Sequence, residues 1–243
     1  MKNRKPLPAI ALIAGGSGDR ELLSVRAAAM LDQAEVVVCD PEVAALLSGS
    51  DAEVLDLPTA PTDAAAVAKA LVEQARAGRH AVRLFAGDPI ADGRVIAEAK
   101  ALHRSKVPFE ILPSAADVSG IAAYAGIGLV GPKSKQVRVV NLLTSQLEED
   151  ALADATATLV VRHAADAAAG IAKAALAAGR TPTTPLVVVR GGTTVEQQTV
   201  VTTLGDAAAD LKAAKVTGDG DVFLGEAVGS AGALGWFESR PLF

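Results

Sequence analysis

The chain has 243 residues, of which half are apolar and 21% are charged, enough to bury one large core or two smaller ones. Its 23 basic residues do not exceed its 28 acidic ones, and aromatic residues make up only 3%. This composition argues against a nucleic-acid partner, which needs positive charge and aromatic stacking. The only cysteine, Cys39, excludes an internal disulfide, and no Cys and His residues are spaced as zinc ligands. We therefore expect a cytoplasmic protein without a metal site.

The N-terminal stretch "MKNRKPLPAIALIAGG" places basic residues before apolar ones, as a signal peptide does, but the apolar run covers only residues 9 to 14. It predicts a first strand instead. No segment approaches the roughly 20 apolar residues of a membrane-spanning helix, so no membrane partner is expected.

Short β-branched runs alternate with alanine-rich stretches in the first half, which is typical of parallel strands joined by crossover helices. The predicted strands are 9–14, 36–39, 53–55, 81–85 and 109–112, and the predicted helices are 21–33 and 62–77. The segment 113–135, rich in Pro, Ser, Gly and small apolar residues, is predicted to pass between two lobes, 1–115 and 116–243. The second lobe is predicted to hold strands 137–142, 157–162, 185–190 and 221–225 and helices 164–179 and 206–214, with strand directions left open.

The first strand runs into the glycine turn "AGGSGDRE". This turn fails three standard motifs: the dinucleotide fingerprint has Glu21 where its third glycine belongs, the phosphate loop lacks its lysine, and the nucleophile elbow has Asp19 in place of a glycine. What remains is a tight turn at the carboxyl end of a parallel strand, where ligands bind in open α/β sheets. The alternative is that the glycines only let the chain turn.

A second glycine turn, "RLFAGDPIADGR" at 83–94, has the same construction. A strand ends at Phe85, a Gly-Asp-Pro corner follows, and a helix is predicted to begin near Ala91. Gly87 lets a ligand approach the main chain, and Pro89 fixes the direction in which the chain leaves. A structural turn with a capping acid is the alternative.

The two turns occur together with "ILPSAADVSGIAAYAGIGL", "PLVVVRGGTTVEQQ" and "DVFLGEAV". In this order and at these distances, the blocks resemble the tetrapyrrole methylases over nearly the whole chain, most closely the members that methylate uroporphyrinogen III. The resemblance implies two α/β lobes, the first with a largely parallel sheet and the second with a mixed one. It also implies a homodimer.

The chemistry implied by the resemblance is methyl transfer from S-adenosylmethionine to pyrrole carbons of uroporphyrinogen III, giving precorrin-2 for sirohaem and cobalamin. Because the sulfonium is a good leaving group and the pyrrole is electron-rich, the protein mainly needs to align them and to assist proton loss. Carried over by position, the residues implied to bind the cofactor are Ala86, Gly87, Asp88, Ile90, Ala116, Asp117, His163, Gly192 and Thr193.

Catalytic and substrate roles fall on a second group. Asp19 is predicted to orient the substrate or to receive a proton, or else to cap the helix that follows it. Asp40 is predicted to bind a ligand, or else to form a simple turn before Pro41. The substrate carboxylates need cationic or polar partners, for which the candidates are Arg94, as a catalytic residue, and Gly16, Lys133 and Arg162.

Three departures from the family pattern stand against this assignment. The first turn reads "GGSGDRELLS" without the two usual prolines, Ala116 and Asp117 replace a Thr-Ser pair, and Arg162 and His163 stand where the family commonly has Tyr-Met. A positive charge on Arg162 or His163 would repel the sulfonium of the cofactor or bind a carboxylate of the substrate. The alternative function is therefore a degenerate methylase that serves as a scaffold or tetrapyrrole-binding partner.

The C-terminal "LGWFESRPLF" resembles the connector to a fused uroporphyrinogen III synthase. A fused or associated synthase is thus an expected partner. Trp236 and Phe237 are alternatively predicted to be packing anchors of the second lobe.

Overall fold

The computed structural model describes residues 7–55, 63–115 and 117–238. Its contacts divide the chain into two compact units, Met1–Asp117 and Val118–Phe243. Each unit contains one five-stranded sheet, and buried apolar side chains cover both faces of each sheet. The predicted α/β class is confirmed.

The sheet of the first unit is entirely parallel. Its strands, in the spatial order β3-β2-β4-β1-β5, are β1 (Ile10–Ala14), β2 (Val36–Cys39), β3 (Glu53–Val54), β4 (Ala81–Phe85) and β5 (Phe109–Leu112). The helices are α1 (Val25–Asp32), α2 (Ala64–Arg76) and α3 (Arg94–Ser105). Strands β1 and β4 are buried along their whole length, as central strands of a parallel sheet are.

The predicted helix 21–33 is divided in the structure. A 3-10 turn covers Arg20–Leu22, and α1 begins only after Ser24, whose Oγ accepts a hydrogen bond from the amide of Ala27 at 3.1 Å. The divide has a local cause, because Leu23 and Ser24 are extended and a serine in that conformation caps the following helix.

The sheet of the second unit is mixed, as predicted. Its strands, in the order β6-β7-β10-β8-β9, are β6 (Gln136–Asn141), β7 (Ala157–Arg162), β8 (Pro185–Arg190), β9 (Gln198–Thr203) and β10 (Asp221–Leu224). Strand β6 is parallel to β7, whereas β10 is antiparallel to both β7 and β8, and β9 is antiparallel to β8. The helices are α4 (Val118–Tyr124), α5 (Glu149–Ala153), α6 (Ala168–Ala177), α7 (Ala207–Ala213) and α8 (Ala231–Leu234).

Several further elements differ from the sequence prediction, among them the short helices α5 and α8, which were not predicted. Strand β9 was not predicted, although its Val and Thr residues have high strand propensity. Helix α4 lies in the segment that was predicted to pass between the lobes. It was not predicted because its small residues give no clear helical pattern, and in the structure the packing of Val118, Ile121 and Ala122 stabilises it. Helix α3 begins at Arg94 rather than near Ala91, since a turn first fills residues 91–93.

The C-terminal part of the second unit carries an aromatic cluster. Trp236 donates from Nε1 to the carbonyl of Ala123 at 2.8 Å, and the ring of Tyr124 lies 5.2 Å from that of Trp236 and 4.7 Å from that of Phe237. The predicted packing role of Trp236 and Phe237 is therefore confirmed. Among the described residues, no helix has both the length and the apolar character needed to cross a membrane.

Candidate active site

The two glycine turns of the first unit pair with each other. Gly16 and Gly87 exchange two main-chain hydrogen bonds of 3.2 and 2.8 Å, and both have a left-handed backbone, with φ of 58° and 65°. Gly15 donates to the carbonyl of Phe85 at 2.7 Å, and a Cβ at Gly15 would lie 2.8 Å from that oxygen. The glycines therefore join the carboxyl ends of β1 and β4, the edge where parallel α/β sheets bind ligands.

Asp40 and Arg94 bind the two main-chain polar groups of Ala86, the residue before Gly87. Asp40 Oδ2 accepts from the amide of Ala86 at 2.9 Å, and Arg94 donates to the carbonyl of Ala86 at 2.5 Å. The two side chains also bind each other, with Arg94 2.7 Å from Asp40 Oδ2. Asp40 precedes the 3-10 helix Pro41–Leu47 but makes no capping hydrogen bond to it. Of the predicted site residues, Gly16, Asp40, Ala86, Gly87 and Arg94 are thus brought together.

A second layer of charge lies beneath this turn. Arg83 is 1% exposed, lies 2.6 Å from Asp40 Oδ1 and 3.2 Å from Glu98 Oε1, and stacks 4.1 Å from the centre of the Phe85 ring. Burial raises the pKa of Glu98 to about 7, although Arg83 opposes the rise. Burial alone would also raise the pKa of Asp40, but the charge of Arg83 and the hydrogen bonds from Ala86, Arg83 and Arg94 lower it.

The rest of the second turn presents main chain and one apolar side chain to the outside. Asp88 turns inward on its own loop, where Oδ1 accepts from the amides of Ile90 at 2.8 Å and Ala91 at 3.3 Å. A Cβ added at Gly87 would meet nothing within 4 Å, and Ile90 is 50% exposed. In the first turn, Asp19 caps the 3-10 helix through the amide of Glu21 at 2.8 Å. That observation confirms its capping role, while its catalytic role stays a prediction.

In the second unit, the carboxyl ends of β7 and β8 lie at the same edge because both strands are antiparallel to β10. Arg162 is 8% exposed and donates from Nε to Asp221 at 3.0 Å, so it does not lie at an open strand end. His163 has a φ of 55°, and its Nδ1 lies 3.0 Å from both carboxylate oxygens of Asp219. The hydrogen bond with Asp219 raises the pKa of His163, outweighing the opposite effect of burial.

The turn after β8 carries the next two predicted residues. Thr193 is 2% exposed with a φ of 68°, and its amide donates to Gln197 Oε1 at 2.8 Å. A Cβ at Gly192 would lie 2.9 Å from the side chain of Ile121, so α4 supports this turn closely. A left-handed conformation is rare for a β-branched residue such as Thr193.

The remaining predicted residues lie elsewhere. Lys133 pairs with Glu226 at 3.4 Å near the start of β6, at the opposite edge of the second sheet from Arg162 and Thr193. Asp117 is half-buried directly before α4, and Ala116 lies outside the described residues. The ligand roles of all these residues stay predictions.

Sequence reasoning missed Arg83, Glu98, Asp219 and Asp221. A signal existed for Arg83, because an arginine in the middle of an otherwise apolar strand predicts a buried ion pair. The partners come from 15 and 43 residues away, which no local pattern reveals.

Together these features define an α/β protein of two units whose glycine-containing turns lie at the carboxyl ends of the strands in each sheet. A sequence profile of the tetrapyrrole (corrin/porphyrin) methylases matches residues 9–208. The chain belongs to this family, so the predicted family and the predicted class, a methyltransferase, are confirmed.

Relatives and solved structures agree with this assignment. The siroheme synthase of Azotobacter vinelandii is 32% identical over 250 residues, which cover 97% of this chain and 53% of the synthase. Siroheme synthase 1 of Yersinia pseudotuberculosis is 31% identical, with 98% and 52% covered. The uroporphyrin-III C-methyltransferase of Thermus thermophilus, solved in complex with S-adenosylhomocysteine, superposes with a TM-score of 0.72 at 29% identity over 90% of this chain and 98% of its own. The chain spans about half the length of the curated relatives it matches.

Proposed function

We propose that this chain transfers methyl groups from S-adenosylmethionine to uroporphyrinogen III, giving precorrin-2 on the route to sirohaem and cobalamin. The observation that carries the proposal is the pairing of the two glycine turns, Gly16 with Gly87, at the carboxyl edge of the first sheet. Family membership supports the reaction class, and the siroheme synthases and the uroporphyrin-III methyltransferase among its relatives support the substrate.

The residues of the second turn fit the methyl donor, S-adenosylmethionine. Apart from Gly87 and its two chain neighbours, no described atom lies within 4 Å of the position that a Cβ of Gly87 would occupy. A ligand there would therefore face the main chain of Gly87 and no side chain. The exposed Ile90 offers an apolar surface next to it, which suits a nucleoside. When bound, the donor supplies an activated methyl group on a sulfonium. Gly87, Asp88 and Ile90 are the residues of this unit that would hold it.

The chain itself contributes position and charge rather than a strong nucleophile. Arg94 is 39% exposed at its side chain while it also clamps Ala86 and Asp40. Arg94 also binds Asp92 through Nε at 2.6 Å. Three of its five N–H groups are thus used within the protein, and the remaining two would donate to a substrate carboxylate. Asp19 is half-buried at the neighbouring turn and would accept a proton there.

Two measurements test the proposal. Calorimetric titration with S-adenosylhomocysteine is expected to show micromolar binding, about −8 kcal/mol. Anaerobic incubation with uroporphyrinogen III and methyl-labelled donor is then expected to label the macrocycle. Binding without label would overturn the substrate, and silence at millimolar S-adenosylhomocysteine would favour the degenerate methylase that the changes at Arg162 and His163 suggest.

The resemblance also supports a homodimer, a cytoplasmic location and an association with a uroporphyrinogen III synthase. Light scattering tests the first of these: twice the chain mass of 24.5 kDa agrees with a dimer, and a single chain mass contradicts it. Co-purification with a tagged synthase tests the association.

A further inference from the structure

Glu98 is a buried carboxylate that none of the predicted ligand roles uses. It lies on α3, is 3% exposed, and accepts one hydrogen bond from Arg83 Nε at 3.2 Å. Its other oxygen, Oε2, has no hydrogen-bond partner among the described residues. A buried, ionised carboxylate with one oxygen unsatisfied is costly, so its position calls for a physical explanation.

The guanidinium of Arg83 is shared between two carboxylates. It lies closer to Asp40, at 2.6 Å, than to Glu98, at 3.2 Å. Asp40 receives two further hydrogen bonds, from Arg94 and from the amide of Ala86. Asp40 is therefore bonded by two cations, whereas among the described residues Glu98 is bonded only by the more distant side of Arg83. Because a buried carboxylate needs close compensation to stay ionised, Glu98 is the one that takes up a proton.

The charged groups that face Glu98 come from three elements: Arg83 on β4, Asp40 after β2, and Arg94 at the start of α3. Helix α2, which also packs against α3, turns the apolar Val67 and Leu71 inward. The ionisable side chains of α2 are exposed, namely Lys69, Glu73 and Arg76. Nothing on α2 therefore competes with Arg83 for Glu98.

We propose that Glu98 is a proton-controlled positioning residue for the second glycine turn: while protonated it leaves Arg83 to Asp40, and when ionised it draws Arg83 away. The ionisation of Glu98 would reach the second glycine turn through Arg83 and Asp40. A weaker Arg83–Asp40 contact loosens the grip of Asp40 on the amide of Ala86, and with it the turn at Gly87. The inference rests on the proposed function in treating this turn as the ligand turn.

Amide hydrogen exchange tests the device without any ligand. E98Q mimics the protonated acid at every pH, and E73Q, on the exposed face of α2, is the matched control. At pH 8.5 we expect the amides of Ala86 and Gly87 to exchange at least about threefold faster in the wild type and in E73Q than in E98Q. At pH 6 all three proteins should agree within about twofold. Equal exchange in wild type and E98Q at both pH values overturns the proposal.

Binding of S-adenosylhomocysteine adds a second readout. Its affinity should fall several-fold between pH 6 and pH 8.5 in the wild type and in E73Q, and E98Q should restore it at pH 8.5. If wild type and E98Q differ in exchange at pH 8.5 but no ligand binds, the proposed function fails and Glu98 keeps its role. If ligand binds equally at both pH values and wild type and E98Q exchange alike, Glu98 loses its role and the function stands.

A direct titration covers the case in which E98Q does not fold. Wild-type protein labelled with ¹³C at the glutamate carboxyl carbons should show one resonance that titrates near pH 7. Titration of every glutamate at its ordinary pKa would overturn the proposal.

Discussion

Asp40 and Asp221 occupy similar places in the two units, yet their surroundings act on them in opposite directions. Each is 5% exposed at the candidate ligand edge of its sheet. At Asp40, the charge of Arg83 and hydrogen bonds from three groups outweigh burial and lower the pKa. At Asp221, burial outweighs the contact with Arg162 and raises the pKa. Asp40 receives more and shorter hydrogen bonds, and Asp221 lies deeper in the protein, so donors and depth together decide the direction of each pKa shift.

The same contrast holds for the backbone. At the edge of the first unit, left-handed conformations fall on Gly16, Gly18 and Gly87, which adopt them without steric cost. At the edge of the second unit Gly191 is also left-handed, but so are His163 and Thr193, for which the conformation costs on the order of 1 kcal/mol each. Both edges hold ion pairs, but the second edge also places a strained backbone conformation on two residues that carry side chains.

The largest expected effect comes from removing Asp40. D40A leaves Arg83 and Arg94 without their shared partner in a buried site, and we expect a loss of about 3 to 5 kcal/mol in the free energy of unfolding. D221A should cost less, since Asp221 is the weaker-compensated acid. Denaturant unfolding followed by far-UV circular dichroism measures both variants. Equal losses would contradict the difference between the two edges.

Glu98 makes the stability of the first unit depend on pH. Between its ordinary pKa of 4.5 and the raised value of about 7, the folded state holds a proton that the unfolded state has lost. The free energy of unfolding therefore decreases as the pH rises through this interval, by up to about 3 kcal/mol. E98Q removes this contribution, so the difference between wild type and E98Q should change across pH 5 to 8. A constant difference over that range would show that Glu98 ionises normally.

Gly87 should matter for ligand binding more than for folding. G87A and G49A both place a Cβ on a left-handed glycine with nothing within 4 Å, with φ of 65° and 76°. Each should therefore lose a similar 1 to 2 kcal/mol of stability, roughly. Only G87A should weaken the binding of S-adenosylhomocysteine, by about tenfold or more in the dissociation constant, which is about 1.4 kcal/mol. Calorimetry at one temperature compares the two, and an equal loss of affinity would remove the turn from the binding site.

The smallest effect is expected at the second edge. Asp219 is 71% exposed at its side chain, so its pair with His163 contributes little to stability. The pair stabilises the fold at a pH below the ordinary pKa of histidine, and this contribution is lost as the pH rises through the raised pKa of His163. D219N should lower that pKa, as measured by NMR of the imidazole. An unchanged pKa of His163 in D219N would mean that a group other than Asp219 raises it.

Much of the fold could be predicted from local pattern. Strands β1, β4, β7 and β8 are buried along most or all of their length and are mainly apolar, and among their charged residues Arg83 in β4 is the one that lies in mid-strand. Such runs are recognised as strands from sequence. Helix α4 and strand β9 could not be placed in this way, because one depends on packing and the other lies half-exposed at the edge of its sheet.

The candidate site was predictable only as far as its glycines. The turns at Gly16 and Gly87 can be recognised from the sequence, and their pairing with each other follows from the two adjacent parallel strands that precede them. The binding of Ala86 by Asp40 and Arg94 could not be predicted. Asp40 lies 46 residues before Ala86, and the carbonyl of Ala86 is bound by a side chain from the next helix. The partners of such long-range charge pairs are set by topology, so a single sequence can indicate that Arg83 is paired but not which residues pair with it.

The aromatic cluster gives the molecule a built-in optical division. The chain has one tryptophan and one tyrosine, and both Trp236 and Tyr124 lie in the second unit. Intrinsic fluorescence excited at these rings therefore follows the loss of the second unit and is blind to the first. Dichroism of the peptide groups records both, so the two signals read in parallel would reveal whether the halves of this chain melt together or in succession.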